Sequence, residues 1–116
     1  MMNQRLQHFA DELDQLKQRL VTMAGLAEER VRLALRGLVE RKPTLLEDVI
    51  AGDARINALQ IEIDDRCLKL IALRHPVAVD LRIVVSAIKI NDDLERVGDL
   101  AVNCAEAAGD ICAIRR

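Results

Sequence analysis

Aromatic side chains are nearly missing from this 116-residue chain: it has no Trp, no Tyr and a single Phe, Phe9. A base-stacking platform for nucleic acid is therefore excluded. Basic charge is not in excess either, with 17 Lys and Arg against 19 Asp and Glu, a net charge of −2. General nucleic-acid binding calls for a basic patch, and the balance argues against one. No apolar run approaches the ~20 residues that a membrane-spanning helix needs. No apolar leader opens the chain, since Asn3, Arg5, Asp11 and Glu12 interrupt it, and a cytoplasmic location is expected. The three cysteines, Cys67, Cys104 and Cys112, form no CxxC pair. Their odd number suits a reducing compartment, where each reads as a small hydrophobe. Histidine occurs only at His8 and His75, and Ser86 is the lone serine. No nucleophile–base pair results, and no enzyme is expected.

What is present is helix periodicity. At 51% apolar and 31% charged residues, the chain has the composition of one small folded domain. Pro43 and Pro76 divide it into three segments, with helices expected at about 3–41, 44–74 and 77–112. In the first, Leu6, Phe9, Leu13, Leu16, Leu20, Met23, Ala27, Val31, Ala34 and Leu38 recur at spacings of three and four. Thr44 and Glu47 read as a capping box opening the second. Its seam is expected at Leu45, Val49, Gly52, Ile56, Leu59, Ile63, Cys67, Leu70 and Leu73. The third segment carries a heptad of Ile83, Ala87, Ile90, Leu94, Val97, Ala101, Cys104, Ala108 and Ile111. Short connections then imply an all-α, antiparallel three-helix bundle of long helices. Apolar residues off these seams include Leu46, Ile50, Ile61 and Leu68 on the second helix. On the third they include Leu81, Val84, Val85 and Ile88. Leu81, Val84 and Ile88 are expected to form a partner surface, with a homodimer as the simplest closed assembly.

The polar residues that break the apolar pattern cluster. On the third helix Asp92, Glu95 and Asp99 fall within roughly 60° of one another. On the second, Asp53, Asn57, Gln60 and Asp64 do the same. Counting outward from the turn at His75 and Pro76 sets Asp53 level with Asp99, Asn57 with Glu95, and Gln60 with Asn91. Oxygen donors on two facing helices suit a hard cation. The candidate ligands are Asp53, Asn57, Glu95 and Asp99, supported by Gln60, Asn91 and Asp92, with Gly98 allowing close approach. A solvated polar face is the competing reading.

Two runs carry a resemblance: Leu73-Arg74-His75-Pro76-Val77-Ala78-Val79-Asp80-Leu81-Arg82, and Lys89-Ile90-Asn91-Asp92-Asp93-Leu94-Glu95-Arg96-Val97-Gly98-Asp99-Leu100-Ala101-Val102-Asn103. With Met23-Ala24-Gly25-Leu26-Ala27, and with Val49 to Asp64, they are similar to the PhoU family over roughly Phe9 to Ala108. The resemblance implies an all-helical cytoplasmic regulator of phosphate uptake and phosphate-starvation signalling. Such a protein acts by binding the phosphate ABC transporter and its sensor kinase, and is often dimeric. It further implies metal ions on a Glu/Asp-xxx-Asp motif, with Mg, Mn, Fe or Zn as candidates. Glu95-xxx-Asp99 matches that motif. Asp53-xxx-Asn57 matches in part, with an amide where a carboxylate is expected. Typical members hold two three-helix repeats in tandem, and this sequence holds one. The alternative to a regulator is a structural helical oligomerisation module without metal.

Overall fold

The computed structural model describes residues 2–114. Helix α1 spans Met2–Glu40, α2 Pro43–Ala51, α3 Asp53–Arg74 and α4 Ala78–Ile114. Together they form three antiparallel legs, α2 and α3 making the middle one. The result is a rod of 68 × 18 × 17 Å. Both proline turns fall where the breaks were expected. Arg41 closes α1 in the left-handed region at φ 53°. His75 caps α3 in the same region, at φ 49° and ψ 52°, and its N–H reaches back to Ile71 O.

The expected second helix is split by one residue, Gly52. The Gly52 N–H bonds to Asp48 O at 3.0 Å, and Arg55 N–H bonds to Gly52 O at 3.2 Å, a tighter i to i+3 turn. Arg30 of α1 fills the break. Its Nη1 donates to Asp48 O at 2.8 Å, and a β-carbon on Gly52 would overlap its guanidinium. The capping box is not formed. Pro43 occupies the first helical turn, Lys42 is the N-cap, and no side chain caps the helix. Proline's pre-set φ starts the helix early enough that Thr44 is already inside it.

The core has two parts. Toward one end, Leu13, Leu16, Met23 and Leu26 of α1 pack with Ile56, Leu59, Ile63, Cys67 and Leu70 of α3 and Val84 and Ala87 of α4. Toward the other, Ala34, Leu46, Val49, Ala101, Ala105 and Ala108 form a thinner core. The α1 and middle-leg seams are largely where periodicity put them. The departures are Leu46, buried at 2% exposure in place of Leu45, and Leu6, Leu38 and Leu73, which are exposed toward the rod's ends.

Helix α4 is turned relative to expectation. Its buried line is Val84, Ala87, Asn91, Gly98, Ala101, Ala105 and Ala108, with Leu94 packed against the core. Ile90, Val97 and Ile111 stand outside it, at 47%, 37% and 50% exposure. Both lines are heptads, and they share Ala87, Leu94, Ala101 and Ala108. They differ in choosing Ile90, Val97 and Cys104 or Asn91, Gly98 and Ala105. Close approach of helices selects the smaller set: a β-carbon on Gly98 would already lie 3.2 Å from Ile56 Cδ1. The expected partner surface is corrected accordingly. Val84 is fully buried and Ile88 packs against the core, which leaves Leu81, at 36% exposure, as its outward member.

Candidate acidic site between α3 and α4

The site lies where α3 leaves the Gly52 break and crosses the middle of α4. Asp53 is the first residue of α3, where a negative charge is favoured by the helix dipole. Its Oδ2 accepts from Asn57 Nδ2 at 3.3 Å, one helical turn on. Its Oδ1 is buried and has no hydrogen-bond partner. That oxygen lies 4.0 Å from where a β-carbon on Gly98 would stand. Gly98 thus lets the α3 carboxylate come up against the α4 backbone between Glu95 and Asp99.

Across the groove, Glu95 is half-buried and Asp92 and Asp99 are exposed. Loss of solvent, then Asp99, Asp53 and Asp92, push the Glu95 carboxyl above its ordinary value of 4.5. Asp53 of α3 is thus among the charges that act on Glu95 of α4. No ion pair reaches it among the described residues; the pairs Arg19–Glu62, Arg66–Glu62 and Arg74–Glu12 lie along α1 and α3 instead.

The level pairing of the helices holds at Gln60 and Asn91, though not through both side chains. Asn91 is fully buried in the seam, and its Nδ2 donates to the main-chain carbonyl of Gln60 at 2.9 Å. Its Oδ1 has no partner. Asn91 is thus committed to locking α4 against α3, beside the acidic cluster rather than facing outward with it. A buried polar group of this kind specifies register. The structure pairs Asn57 with Asp53 on α3, and Glu95 and Asp99 lie one turn apart on α4, with Asp92 at the margin. Among the described residues, no group of three His, Cys, Asp or Glu side chains is placed to hold a metal ion.

The sequence reading omitted Arg30. It comes from α1, the helix that contributes no carboxylate to the site, yet its guanidinium lies over Gly52, next to Asp53. Its Nε is buried and unpartnered. The signal was the glycine itself: a helix-interior residue without a side chain, one position before the first acidic group.

Comparison with known proteins agrees with this architecture. The PhoU domain model matches residues 20–108. The Caulobacter vibrioides "Phosphate-specific transport system accessory protein PhoU homolog" is 40% identical over 108 residues, 93% of this chain and 47% of that protein. A protein of the same description from Aquifex aeolicus is 42% identical over 97 residues, 84% of this chain and 44% of its own length. The crystal structure of PhoU from Pseudomonas aeruginosa superimposes with a TM-score of 0.90 at 35% identity, covering 93% of this chain and 52% of that one. This chain thus spans about half the length of these relatives. With a domain match over most of its length and the same fold, the chain belongs to the PhoU family.

Proposed function

We propose that this protein is a PhoU-type regulator of phosphate uptake and phosphate-starvation signalling. It works in the cytoplasm as a homodimer, by binding the phosphate ABC transporter and its sensor kinase, and it turns over no substrate. The observation that carries this reading is the match over 93% of the chain to relatives described as phosphate transport accessory proteins. No described helix is long and apolar enough to cross a membrane, which suits a protein that reaches a membrane transporter by docking. The test is complementation. In a bacterium lacking its own PhoU protein, expression of this chain should restore repression of a phosphate-starvation reporter in phosphate-rich medium, and should co-purify the transporter. A reporter that stays fully on, with the chain folded and abundant, overturns the reading.

The acidic site is assigned to a divalent or trivalent cation held by Asp53, Asn57, Glu95 and Asp99. Hard oxygen donors, the unpartnered Asp53 Oδ1 and the mutual repulsion at Glu95 support this. The carboxylates do not converge at rest, and Asn57 supplies a neutral amide that already binds Asp53. The fit is therefore to one cation rather than a cluster. Binding to the folded state alone would raise the melting temperature in Mg²⁺, Mn²⁺, Fe or Zn²⁺. Changing Glu95→Gln and Asp99→Asn together should abolish that rise. Unchanged wild-type melting under both metal and chelator would favour the metal-free helical module.

A further inference from the structure

Two heptads run along α4, and the core uses one of them. Val84, Asn91, Gly98 and Ala105 are buried, whereas Ile83, Ile90, Val97, Cys104 and Ile111 form the line beside them. Both lines share Ala87, Leu94, Ala101 and Ala108. In a seven-residue repeat the two seams are centred about 50° apart around the helix axis. We propose that α4 is a two-position helix that turns through this angle to exchange the lines, and that a cation between Asp53 and Glu95 holds it in the position described.

The position described is not the one that buries the larger side chains. It leaves Ile90, Val97 and Ile111 at 47%, 37% and 50% exposure and puts Asn91 in the seam. Asn91 Oδ1 has no hydrogen-bond partner among the described residues, a loss that turning outward into water restores. The ends of the rod already admit the other line. Ile83 packs against the core, and Ile111 lines a groove of about 500 Å³ with Leu38 and Val39. The obstacle is in the middle. There α3 stands so close that a β-carbon on Gly98 would lie 3.2 Å from Ile56 Cδ1, and Ile90 and Val97 need the helices further apart. Each position thus carries a gain and a cost, the condition for two packings of similar energy.

The turn reaches the acidic residues. Asn91 donates to Gln60 O of α3, so α3 faces the Asn91 side of α4, the side that carries Glu95. Bringing Ile90 inward swings Glu95 from about 80° to about 130° from the core direction, and Asp99 from about 130° to about 180°. Both carboxylates then move away from Asp53. Repulsion at Glu95 from Asp99 and Asp53 favours that departure, and a bridging cation opposes it. This half of the proposal rests on the cation reading above. A ligand moves such an equilibrium only by binding one position better, and the turned position separates the two helices' carboxylates. With the cation, Ile90, Val97 and Cys104 lie outside; without it they move in, and Asp92 and Asp99 point straight out.

Thiol labelling at one dilute protein concentration tests the turn, because positions 104 and 105 sit on opposite lines. Cys104 is exposed and Ala105 is fully buried, while Cys67, buried in the core on α3, reports unfolding. One reporter carries Cys112→Ser alone; the other carries Cys104→Ser, Cys112→Ser and Ala105→Cys. In chelator, the thiol at 105 should label at roughly a hundredth to a tenth of the Cys104 rate, the fraction of molecules turned. Gly98→Leu crowds the position described. It should slow Cys104 and speed position 105, each by roughly tenfold or more, with Cys67 still protected. Asn91→Leu removes the orphaned acceptor and should slow position 105, and Mn²⁺ in place of chelator should do the same. If Gly98→Leu speeds positions 104, 105 and 67 together, or moves none of them, α4 has a single position and the proposal is overturned. If Gly98→Leu does not fold, Asn91→Leu decides, and an unchanged rate at 105 overturns the turn. If the variants move the labelling and Mn²⁺ does not, the turn stands and its coupling to a cation is overturned. The melting temperature in Mn²⁺ then separates a cation that binds without turning α4 from a failure of the cation reading itself.

Discussion

Two neighbouring valines on α4 give the sharpest test of how this helix is turned. Val84 is fully buried and Val85 is 51% exposed, so the same substitution at adjacent positions samples opposite environments. Val84→Ala removes two buried carbons, about 1.6 kcal/mol of transfer free energy. The cavity left in this core costs roughly 1 kcal/mol more, because a packed core relaxes only in part. Alanine's better helix propensity returns about 0.5 kcal/mol. The net loss is about 2 kcal/mol, or roughly 8 °C in melting temperature for a domain of this size. Val85→Ala loses about half the transfer term and regains the same propensity, for a net change of a few tenths of a kcal/mol. Urea melts of the two variants, read by circular dichroism at equal protein concentration, measure the difference directly. Equal destabilisation would mean that α4 is rotated from the register described, and a larger effect at Val85 would reverse the seam.

The glycines offer a second probe. Gly25→Ala puts a β-carbon into open space and should stabilise α1 by about 1 kcal/mol. Gly98→Ala should forgo that gain by pressing on Ile56 at 3.2 Å, and an equal gain at both sites would refute the close approach of α3 and α4. For Glu95, whose folded-state value is raised, the associated stability is present below the unfolded value of 4.5 and is lost as pH rises through the folded value. Glu95→Gln in chelator should therefore melt above wild type at neutral pH, with the gap closing as pH falls toward 4.5; a pH-independent gap would show that the neighbouring carboxylates do not act on it. Burial, with Asp64 nearby, pushes the Cys67 thiol up to about 11. Thiol reagents followed by mass spectrometry should modify Cys67 only as the protein unfolds, whereas rapid native labelling would contradict the packing of α3.

Much of this protein is written locally. Leu13, Leu16, Met23, Ile56, Ile63 and Leu70 fall on 3.6-residue spacings that few chain conformations besides a helix can satisfy. Pro43 and Pro76 break those helices through their own covalent geometry. The candidate acidic residues could be picked out for the same reason. Residues three and four apart must share a helix face, and a short turn sets which residues of an antiparallel pair lie level. Glu95 and Asp99 could thus be put on one face of α4, and Asp53 set level with them on α3, by counting. Asn91 could be placed opposite Gln60, but not its burial or its bond to a main-chain carbonyl.

The facing of α4 was decided only in three dimensions. Two interleaved heptads compete along that helix, and hydropathy favours Ile90 and Val97, whereas the fold buries Asn91 and Gly98. Burial energy per residue favours the large side chains, but the distance between helices is set by all the contacts made at once. Small residues let α4 approach α1 and α3 closely enough to fill the core along its whole length. Gly52 likewise reads in sequence as a tolerated helix glycine; the reason for it, the guanidinium of Arg30 lying over it, comes from a residue 22 positions away. Periodicity along one helix could determine that α4 has two apolar stripes. Which of them faces inward depends on the shapes of the two helices it meets.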